Sequence, residues 1–362
     1  MQSVIIGPNQ AEQRFDKFLH KYLPNAGTSF LYKMLRKKNI TLNGKKAEGN
    51  EILKLHDEVK LFFSDETIEK FMGQQMSNVS TNAYIQAYEH IKGVQIAYED
   101  EHVLILNKPA GILTQKAQDK DCSLNEWMIG YLLHSGAVKM EELHSFKPSV
   151  VNRLDRNTSG LVLCGKTLAG SQALSKLIHD RTVKKFYRTV SVGIIREGSR
   201  IQGYLLKNHK TNKVEILRKK SATIMQSDGE ADYIETAYQP LQIGEFHAAN
   251  QQPCKQQTGK QQNSKLTYLE VELITGKTHQ IRAHLASVGH PLIGDYKYGN
   301  RSINDSFQKT YKLSNQLLHA YRLEFPALSG VLEALSNKII IASLPKQFEH
   351  ILKDHFAKVL ED

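Results

Sequence analysis

An aspartate between two arginines is the part of this sequence best suited to chemistry. Residues 152–160 read NRLDRNTSG, with Asp155 at the centre, turn-forming residues after it and an apolar run next. We expect the turn to hold Asp155 at the mouth of a core strand, where Arg153 and Arg156 stabilise its negative charge and attract phosphate. Such a carboxylate could act as a nucleophile or a base toward a sugar carbon. The alternative is a surface loop with exposed ion pairs.

A tyrosine in a basic segment is a second candidate. Tyr187 could stack on a base or accept a proton, although an aromatic side chain of a strand packed in the core is an equally simple interpretation. The cations around it are Arg181, Lys184, Lys185 and Arg188.

A third segment, residues 274–285 (ITGKTHQIRAHL), has apolar residues at helical spacing. Thr275 or Thr278 could cap this helix, and the free N–H groups of its first turn could bind an anion. Arg282 lies about 100° around the helix from Ile281, at the edge of the buried stripe. From there it could reach solvent or a carboxylate in a cleft.

Residues 160–167 formally match the phosphate-binding loop pattern GxxxxGK[ST]. We reject that interpretation because the residues between the two glycines are apolar and predict the interior of a strand. Backbone N–H groups that are paired within a sheet cannot wrap a phosphate.

Metal and disulfide sites are also rejected. His279 and His284 are five residues apart, or about 140° on a helix, so they do not share a face. Together with His290 and Asp295, they are more simply structural or RNA-facing. The three cysteines, Cys122, Cys164 and Cys254, lie far apart and form no CxxC pair.

The chain that must position these residues has 362 residues and a formal net charge of +11, from 48 Lys and Arg against 37 Asp and Glu. Its 40% hydrophobic content excludes a mostly disordered chain. No apolar run is long enough to span a membrane, and the first residues do not resemble a signal peptide. We therefore expect a soluble cytoplasmic protein with a polyanionic partner.

Short strands from residue 94 onward do not alternate strictly with helices, which favours an α+β fold over a doubly wound one. We expect this larger domain to span residues 94–350 as a mainly antiparallel mixed sheet flanked by helices and loops. A polar linker is expected over residues 66–93. The glutamine-rich segment 248–265 is expected to be a flexible loop insertion.

Residues 1–65 predict a small αβ unit that is rich in cations. Two amphipathic helices precede a strand, 40–42, and the turn pair Asn43-Gly44, and Thr28 or Ser29 is expected to cap the second helix. Residues 12–60 alone contain 11 Lys and Arg against 6 Asp and Glu. Cations at a helix end can simply complement its dipole, so the charge alone leaves the role of this unit open.

The order of these features resembles an S4 RNA-binding domain. The resemblance rests on RFDKFL at residues 14–19, on the second helix ending in Arg36, Lys37 and Lys38, and on ITLNG at residues 40–44. The Gly-Asp pair common before the last strand reads His56-Asp57 here. The resemblance implies that this unit binds RNA.

The remaining motifs resemble the RluA-type family of large-subunit RNA pseudouridine synthases. They are NRLDRNTSG, KKFY, TGKTHQIRAH and GHPLIGD, followed by LLHA at residues 317–320, in order between about residues 97 and 326. Members convert uridine to pseudouridine by cleaving the glycosidic bond, rotating the uracil and rejoining it through C5. This isomerisation needs neither a metal nor another cofactor, so the resemblance implies none.

By position, the resemblance makes Asp155 the catalytic aspartate, Tyr187 the active-site tyrosine and Arg282 the cation that pairs with the aspartate. Leu318 is then the apolar residue under the target base, and Arg153 the residue that replaces this base in the RNA stack. The other expected RNA contacts are Arg156, Lys277, His279, Arg36, Lys37 and Lys38.

The sequence departs from the family pattern at Asn152, Lys277 and Gln115, which leaves the subfamily open. We expect a monomer that acts on RNA, most simply 23S ribosomal RNA, without a membrane or nucleotide cofactor. Transfer RNA is the alternative substrate. A non-catalytic RNA-binding protein of ribosome assembly is the competing class, but loss of the Asp, Tyr or Arg would have signalled it.

Overall fold

The computed structural model describes residues 1–72, 78–118, 120–144, 146–208, 213–217, 231–246 and 264–356. Within these ranges, no helix is long and apolar enough to cross a membrane. The loop insertion expected over 248–265 lies outside the described residues except for its last two, which begin a strand.

The first 61 residues form a small sheet with two helices. Its elements are β1 (Gln2–Ile5), α1 (Phe15–Tyr22), α2 (Thr28–Arg36), β2 (Ile40–Leu42), β3 (Lys45–Lys46) and β4 (Glu58–Leu61). The strands pair antiparallel in the order β1-β4-β2-β3. Apolar residues of both helices pack on this sheet in a core of its own, including Phe15, Phe18 and Leu35.

The second helix and the hairpin test two local predictions. The predicted side-chain cap of α2 is wrong, because α2 begins at Thr28 itself and Gly27 is the capping residue without a side-chain hydrogen bond. The predicted turn is confirmed. Asn43 and Gly44 both have positive φ, at 51° and 72°, as a tight hairpin turn of this type requires.

Most of the segment expected as a linker is helical. It contains α3 (Asp65–Met72) and α4 (Asn78–His90), and α4 packs against α5 (Leu124–His134). Tyr84 and Ala87 of α4 are buried beside Trp127 in the core of the larger sheet. The carboxyl-terminal part of this segment is therefore packed as part of the second unit.

Within the described part of the chain, the second unit is built on a sheet of eleven strands. These are β5 (Gln95–Glu99), β6 (Val103–Lys108), β7 (Ser149–Val150), β8 (Ser159–Gly165), β9 (Lys184–Val192), β10 (Ser199–Asn208), β11 (Lys213–Leu217), β12 (Asp232–Phe246), β13 (Ser264–Leu273), β14 (Leu318–Glu324) and β15 (Ile339–Ile341). The main path is β11-β10-β12-β13-β9-β14-β8-β6-β5, with β15 beside β14 and β7 beside β8. Only the pair β14–β8 is parallel among the described strands, so the sheet is mixed and mainly antiparallel.

Helices cover both faces of this sheet. The helices beyond α5 are α6 (Leu168–His179), α7 (Gln280–Ser287), α8 (Arg301–Tyr311) and α9 (Lys346–His355), with short 3-10 turns at Met140–His144 and Gly330–Leu335. One face packs against α5 and α7 and includes Tyr187. The opposite face packs against α6, α8 and α9.

The strand that carries the rejected phosphate-loop pattern is β8, and all of its residues are buried. Its second residue, Gly160, has a φ of 113°. A Cβ atom there would lie 2.2 Å from the carbonyl oxygen of Ala320 on β14. Only glycine lets the two strands approach this closely, and their parallel contact sets the position of the loop before β8.

Candidate active site

A cavity of about 590 Å³ opens on the face of the sheet covered by α7. Its lining combines loop residues before β8, strand residues of β9 and β14, and the start of α7. All eight candidate residues of the second unit lie around it: Asp155, Tyr187, Arg282, Leu318, Arg153, Arg156, Lys277 and His279. Arg36, Lys37 and Lys38 belong to the small unit and do not line the cavity.

Asp155 occupies a turn that ends directly in β8. The N–H of Thr158 donates to the Asp155 carbonyl oxygen at 3.0 Å, and Ser159 begins the strand. The backbone of Leu154 is fixed to the Thr114 hydroxyl by hydrogen bonds of 2.9 and 3.2 Å. This arrangement confirms the prediction that a turn holds Asp155 at the mouth of a core strand.

Lys108 also fixes this turn, through backbone carbonyl groups. The sequence had not singled out this lysine. Its fully buried ammonium donates to the carbonyl oxygens of Pro109, Ile112 and Arg156 at 3.0, 2.9 and 3.1 Å. Burial lowers the pKa of Lys108 to about 7, against the attraction of the Asp155 charge. The available signal was a lone lysine at the end of an apolar strand, where an unpaired cation would be costly.

Arg282 connects two carboxylates. Its Nη1 lies 2.9 Å from Oδ2 of Asp155, while Nε and Nη2 contact the two oxygens of Asp295 at 2.8 and 2.9 Å. Burial alone would lower the pKa of Arg282, but the hydrogen bonds and charge of Asp295, with those of Asp155, raise it above its usual value. Of the two destinations left open for Arg282, the structure shows the carboxylate.

Asp295 is the second residue whose role the sequence analysis missed. It is 1% exposed and accepts hydrogen bonds from the N–H groups of Lys297 and Tyr298 at 2.9 and 3.2 Å. Burial favours the neutral form of this carboxyl group, but Arg282 and the two N–H groups bring its pKa below the usual value. Asp295 therefore fixes the guanidinium that contacts Asp155. It is not part of any metal cluster among the described residues.

Helix α7 begins differently from the prediction. Thr275 and Thr278 do not cap it; His279 is the capping residue, with a φ of 54° and no side-chain cap. The Thr275 hydroxyl instead donates to Oε1 of Gln280 at 2.9 Å, and Gln280 Nε2 donates to the Glu235 carbonyl oxygen at 2.9 Å. These bonds attach the start of α7 to β12 and so fix the direction of Arg282.

Tyr187 and Leu318 add apolar surface to the cavity lining. Tyr187 and Leu318 are 6% exposed and lie on the neighbouring strands β9 and β14. Burial raises the pKa of Tyr187, and the Asp155 charge raises it further. Tyr187 is thus a core aromatic that also lines the cavity, and its contact with a base stays a prediction.

The flanking arginines are exposed, and neither is among the ion-pair partners of Asp155 in the described part of the chain. Arg156 donates to the Gly111 carbonyl oxygen at 3.0 Å. Arg153 lies at the cavity rim. The cation that contacts Asp155 is therefore Arg282, which is distant in sequence.

The departures from the family pattern also have defined positions. Asn152 accepts a hydrogen bond from the N–H of Leu163 at 2.7 Å and so supports β8. Lys277 forms an exposed ion pair of 2.5 Å with Asp232. Gln115 lines the cavity.

Comparison with known proteins agrees with this geometry. The family model described as RNA pseudouridylate synthase matches residues 102–287. The ribosomal large subunit pseudouridine synthase C of Rickettsia prowazekii is 30% identical over 80% of this chain and 83% of its own length. The protein of the same name from Vibrio parahaemolyticus is 29% identical over 90% of this chain and 88% of its own.

A solved structure titled human RNA pseudouridylate synthase domain containing 4 shares the fold. It has a TM-score of 0.52 at 19% identity and covers 75% of this chain and 96% of its own. The family match includes Asp155, Tyr187 and Arg282, the three residues that meet at the cavity. This chain belongs to the RNA pseudouridylate synthase family.

Proposed function

We propose that this protein converts uridine to pseudouridine in the ribosomal RNA of the large subunit, and that it works in the cytoplasm. The observation that carries the proposal is the carboxylate of Asp155, held 2.9 Å from Arg282 in the lining of a cavity that also includes Tyr187 and Leu318. Membership of the family supports the reaction. The names of the relatives support the class of RNA.

The reaction is an isomerisation, so its bonds balance within one nucleotide. The C1′–N1 bond breaks, the uracil rotates, C1′ bonds to C5, and the hydrogen on C5 moves to N1. Asp155 initiates the first step either by attacking C1′ or by removing a proton from the sugar. Arg282 positions the carboxylate in both cases.

The uracil must leave the RNA stack to reach Asp155, at a cost of about a few kcal/mol. We assign the flipped base to the wall formed by Tyr187 and Leu318, where stacking and apolar contact offset part of that cost. Tyr187, whose pKa is raised by burial, holds its proton near neutral pH and so begins the reaction as a neutral ring. Arg153 replaces the base in the stack.

Cations at the rim and in the small unit hold the RNA backbone. Arg156 and Lys277 line the cavity, and we assign them to the phosphates of the bound nucleotide. The end of α2 presents Arg36, Lys37 and Lys38, all exposed and none in an ion pair within the described residues. We therefore assign RNA binding to residues 1–65, as expected of an S4-like domain.

The test is a map of pseudouridines in total RNA from a strain lacking this gene. We expect one or more sites in large-subunit ribosomal RNA to revert to uridine. The wild-type gene should restore them, whereas Asp155→Asn should not. Loss of pseudouridine only in transfer RNA would show that transfer RNA is the substrate instead. No lost site at all, with the purified protein also inactive on that strain's RNA, would overturn the proposal.

A further inference from the structure

Tyr298 joins the catalytic cavity to the outer hairpin of the sheet. Its hydroxyl oxygen accepts a hydrogen bond from the N–H of Val214 on β11 at 3.0 Å and lies 2.9 Å from Nδ1 of His279. The Tyr298 ring packs with its centroid 5.4 Å from the guanidinium carbon of Arg282. One tyrosine therefore contacts the hairpin, the histidine and the arginine that holds Asp155.

These contacts favour one of the two tautomers of neutral His279. The Tyr298 oxygen already accepts from Val214, and its own hydrogen has one acceptor among the described residues, Nδ1 of His279. In neutral imidazole, an accepting Nδ1 places the hydrogen on Nε2. Burial lowers the pKa of His279, as do Arg282 and Lys297, against Asp155 and Asp295, so the ring is neutral near pH 7.

Nε2 is the ring nitrogen of His279 that approaches the carboxylate of Asp155. Nε2 lies 3.9 Å from Oδ2 of Asp155, which is too long for a direct hydrogen bond. An oxygen placed about 2.8 Å from both Nε2 and Oδ2 would bridge them, with an angle of about 90° at that oxygen. A hydroxyl group there can accept from Nε2–H and donate to Oδ2, as neither a carbonyl oxygen nor an ether oxygen can.

The nucleotide offers one hydroxyl at the right place. A carboxylate that acts at C1′ or at its neighbouring carbon has the 2′-hydroxyl as the nearest hydroxyl of the ribose. Arg282 and His279 both approach the same oxygen of Asp155, Oδ2, at 2.9 and 3.9 Å. This leaves Oδ1 for the reacting sugar atom.

We propose that His279, with its tautomer fixed by Tyr298, is a specificity residue that donates to the 2′-hydroxyl of the target nucleotide while this hydroxyl donates to Asp155. The inference rests on the proposed function and extends it to the choice of RNA over DNA at the target position.

The tautomer can be tested without substrate. In the full-length protein with ¹⁵N-labelled histidine, the ring signals of His279 are identified by their loss in His279→Gln. We expect the wild type to show the hydrogen on Nε2, and Tyr298→Phe to show a mixture of both tautomers. A hydrogen on Nδ1 in the wild type would overturn the proposal.

The hydroxyl contact is tested with a synthetic RNA hairpin that carries a uridine mapped above, or 2′-deoxyuridine at that single position. The readout is the single-turnover rate on the uridine hairpin divided by the rate on the 2′-deoxyuridine hairpin. Deoxy substitution affects the chemistry in every variant, so only the change in this ratio is informative. We expect this ratio to be about tenfold lower for His279→Ala than for the wild type, which is the contribution expected of one hydrogen bond.

Matched variants separate this contact from a structural effect. His279→Gln keeps a donor near Nε2 and should retain most of the ratio, whereas His279→Asn should lose it, although Asn adopts positive φ more readily than Gln. His290→Gln, outside the cavity, is the control with a wild-type ratio.

An unchanged ratio in both folded variants, His279→Ala and His279→Asn, would refute the 2′-hydroxyl contact. Conversion of the all-ribose hairpin by the wild type would leave the proposed function standing in that case. No conversion by the wild type would instead refute the proposed function.

Discussion

Arg282 and Asp295 form a bidentate ion pair in which both nitrogen–oxygen distances are below 3.0 Å, and Asp295 is 1% exposed. The remaining nitrogen of Arg282, Nη1, contacts Asp155 at 2.9 Å. A long arginine side chain normally loses considerable entropy when it is held in one geometry. Here Asp295 orders the Arg282 side chain, so that the carboxylate of Asp155 meets a preorganised partner.

Asp155→Asn is expected to lower the rate of pseudouridine formation by at least about 10³-fold, because the amide cannot act as a nucleophile or base. RNA binding and the melting temperature should change little, since the Asp155 side chain is 25% exposed. Single-turnover assays at a series of protein concentrations measure the rate and the RNA affinity, and thermal melts measure the melting temperature. Asp180→Asn, whose exposed carboxylate lies beside His179, is the matched control, and a wild-type rate for Asp155→Asn would reject the role assigned to Asp155.

Asp295→Asn is expected to affect stability as well as rate. Removing one partner of a buried ion pair leaves the charge of Arg282 uncompensated, at a cost of about 3 kcal/mol or more in the free energy of unfolding. The rate should fall at least about 10²-fold because Arg282 no longer holds Asp155. Urea unfolding of Asp295→Asn is compared with that of Asp155→Asn. Equal free energies of unfolding for these two variants would contradict the positioning role of Asp295.

Lys108→Met removes a cation with three carbonyl acceptors while keeping a similar side-chain length. Those oxygens become buried without a donor, and the loop of Pro109 separates from the Asp155 turn. We expect a rate loss of about 10- to 100-fold through kcat, with RNA affinity nearly unchanged. Lys166→Met, a lysine paired with Glu99 elsewhere, is the control. A weakened RNA affinity with normal kcat would argue for a direct RNA contact instead.

Acid should destabilise the fold through two buried histidines. Burial lowers the pKa of His284 and of His319 to about 4, from an ordinary value near 6.5. The unfolded state then binds more protons between these values, so stability is full above about pH 6.5 and is lost as the pH falls toward 4. The loss is on the order of 3 kcal/mol for each histidine.

Urea unfolding between pH 7.5 and 5 measures the slope of the free energy of unfolding against pH. His284→Asn keeps a polar atom near Thr236 and should make the slope less steep. The exposed His179→Asn is the control and should leave it unchanged. A slope that is identical in wild type and His284→Asn would show that another group dominates the acid response.

Neutralising the end of α2 should reduce the salt dependence of RNA binding. The triple variant Arg36→Ala, Lys37→Ala, Lys38→Ala removes three exposed cations. We expect the slope of log K against log salt to become about 2 units less negative, with the rate at saturating RNA unchanged. The control substitutes Lys309, Lys346 and Lys353, exposed on the helices behind the sheet. Equal slopes for both triple variants would remove the RNA-binding role of α2.

The sequence by itself determined the local features of the site. The turn residues after Asp155 and the apolar run that follows predicted a carboxylate at the mouth of a strand, and β8 begins at Ser159. The apolar spacing around Arg282 likewise predicted a helix, and the order of the motifs indicated the family. These features follow from dihedral preferences and from burial periodicity, which act over a few residues.

Only the tertiary structure decided how these parts meet. Arg282 is 127 residues from Asp155 and 13 residues from Asp295, yet it contacts both. The register of β8 against β14 and the attachment of α7 to β12 produce these contacts. No local pattern encodes them, because which carboxylate a guanidinium reaches depends on how distant strands pair. For the same reason no local pattern singled out Asp295 or Lys108, and the residues around Asp155 pointed to Arg153 and Arg156, while only the resemblance pointed to Arg282.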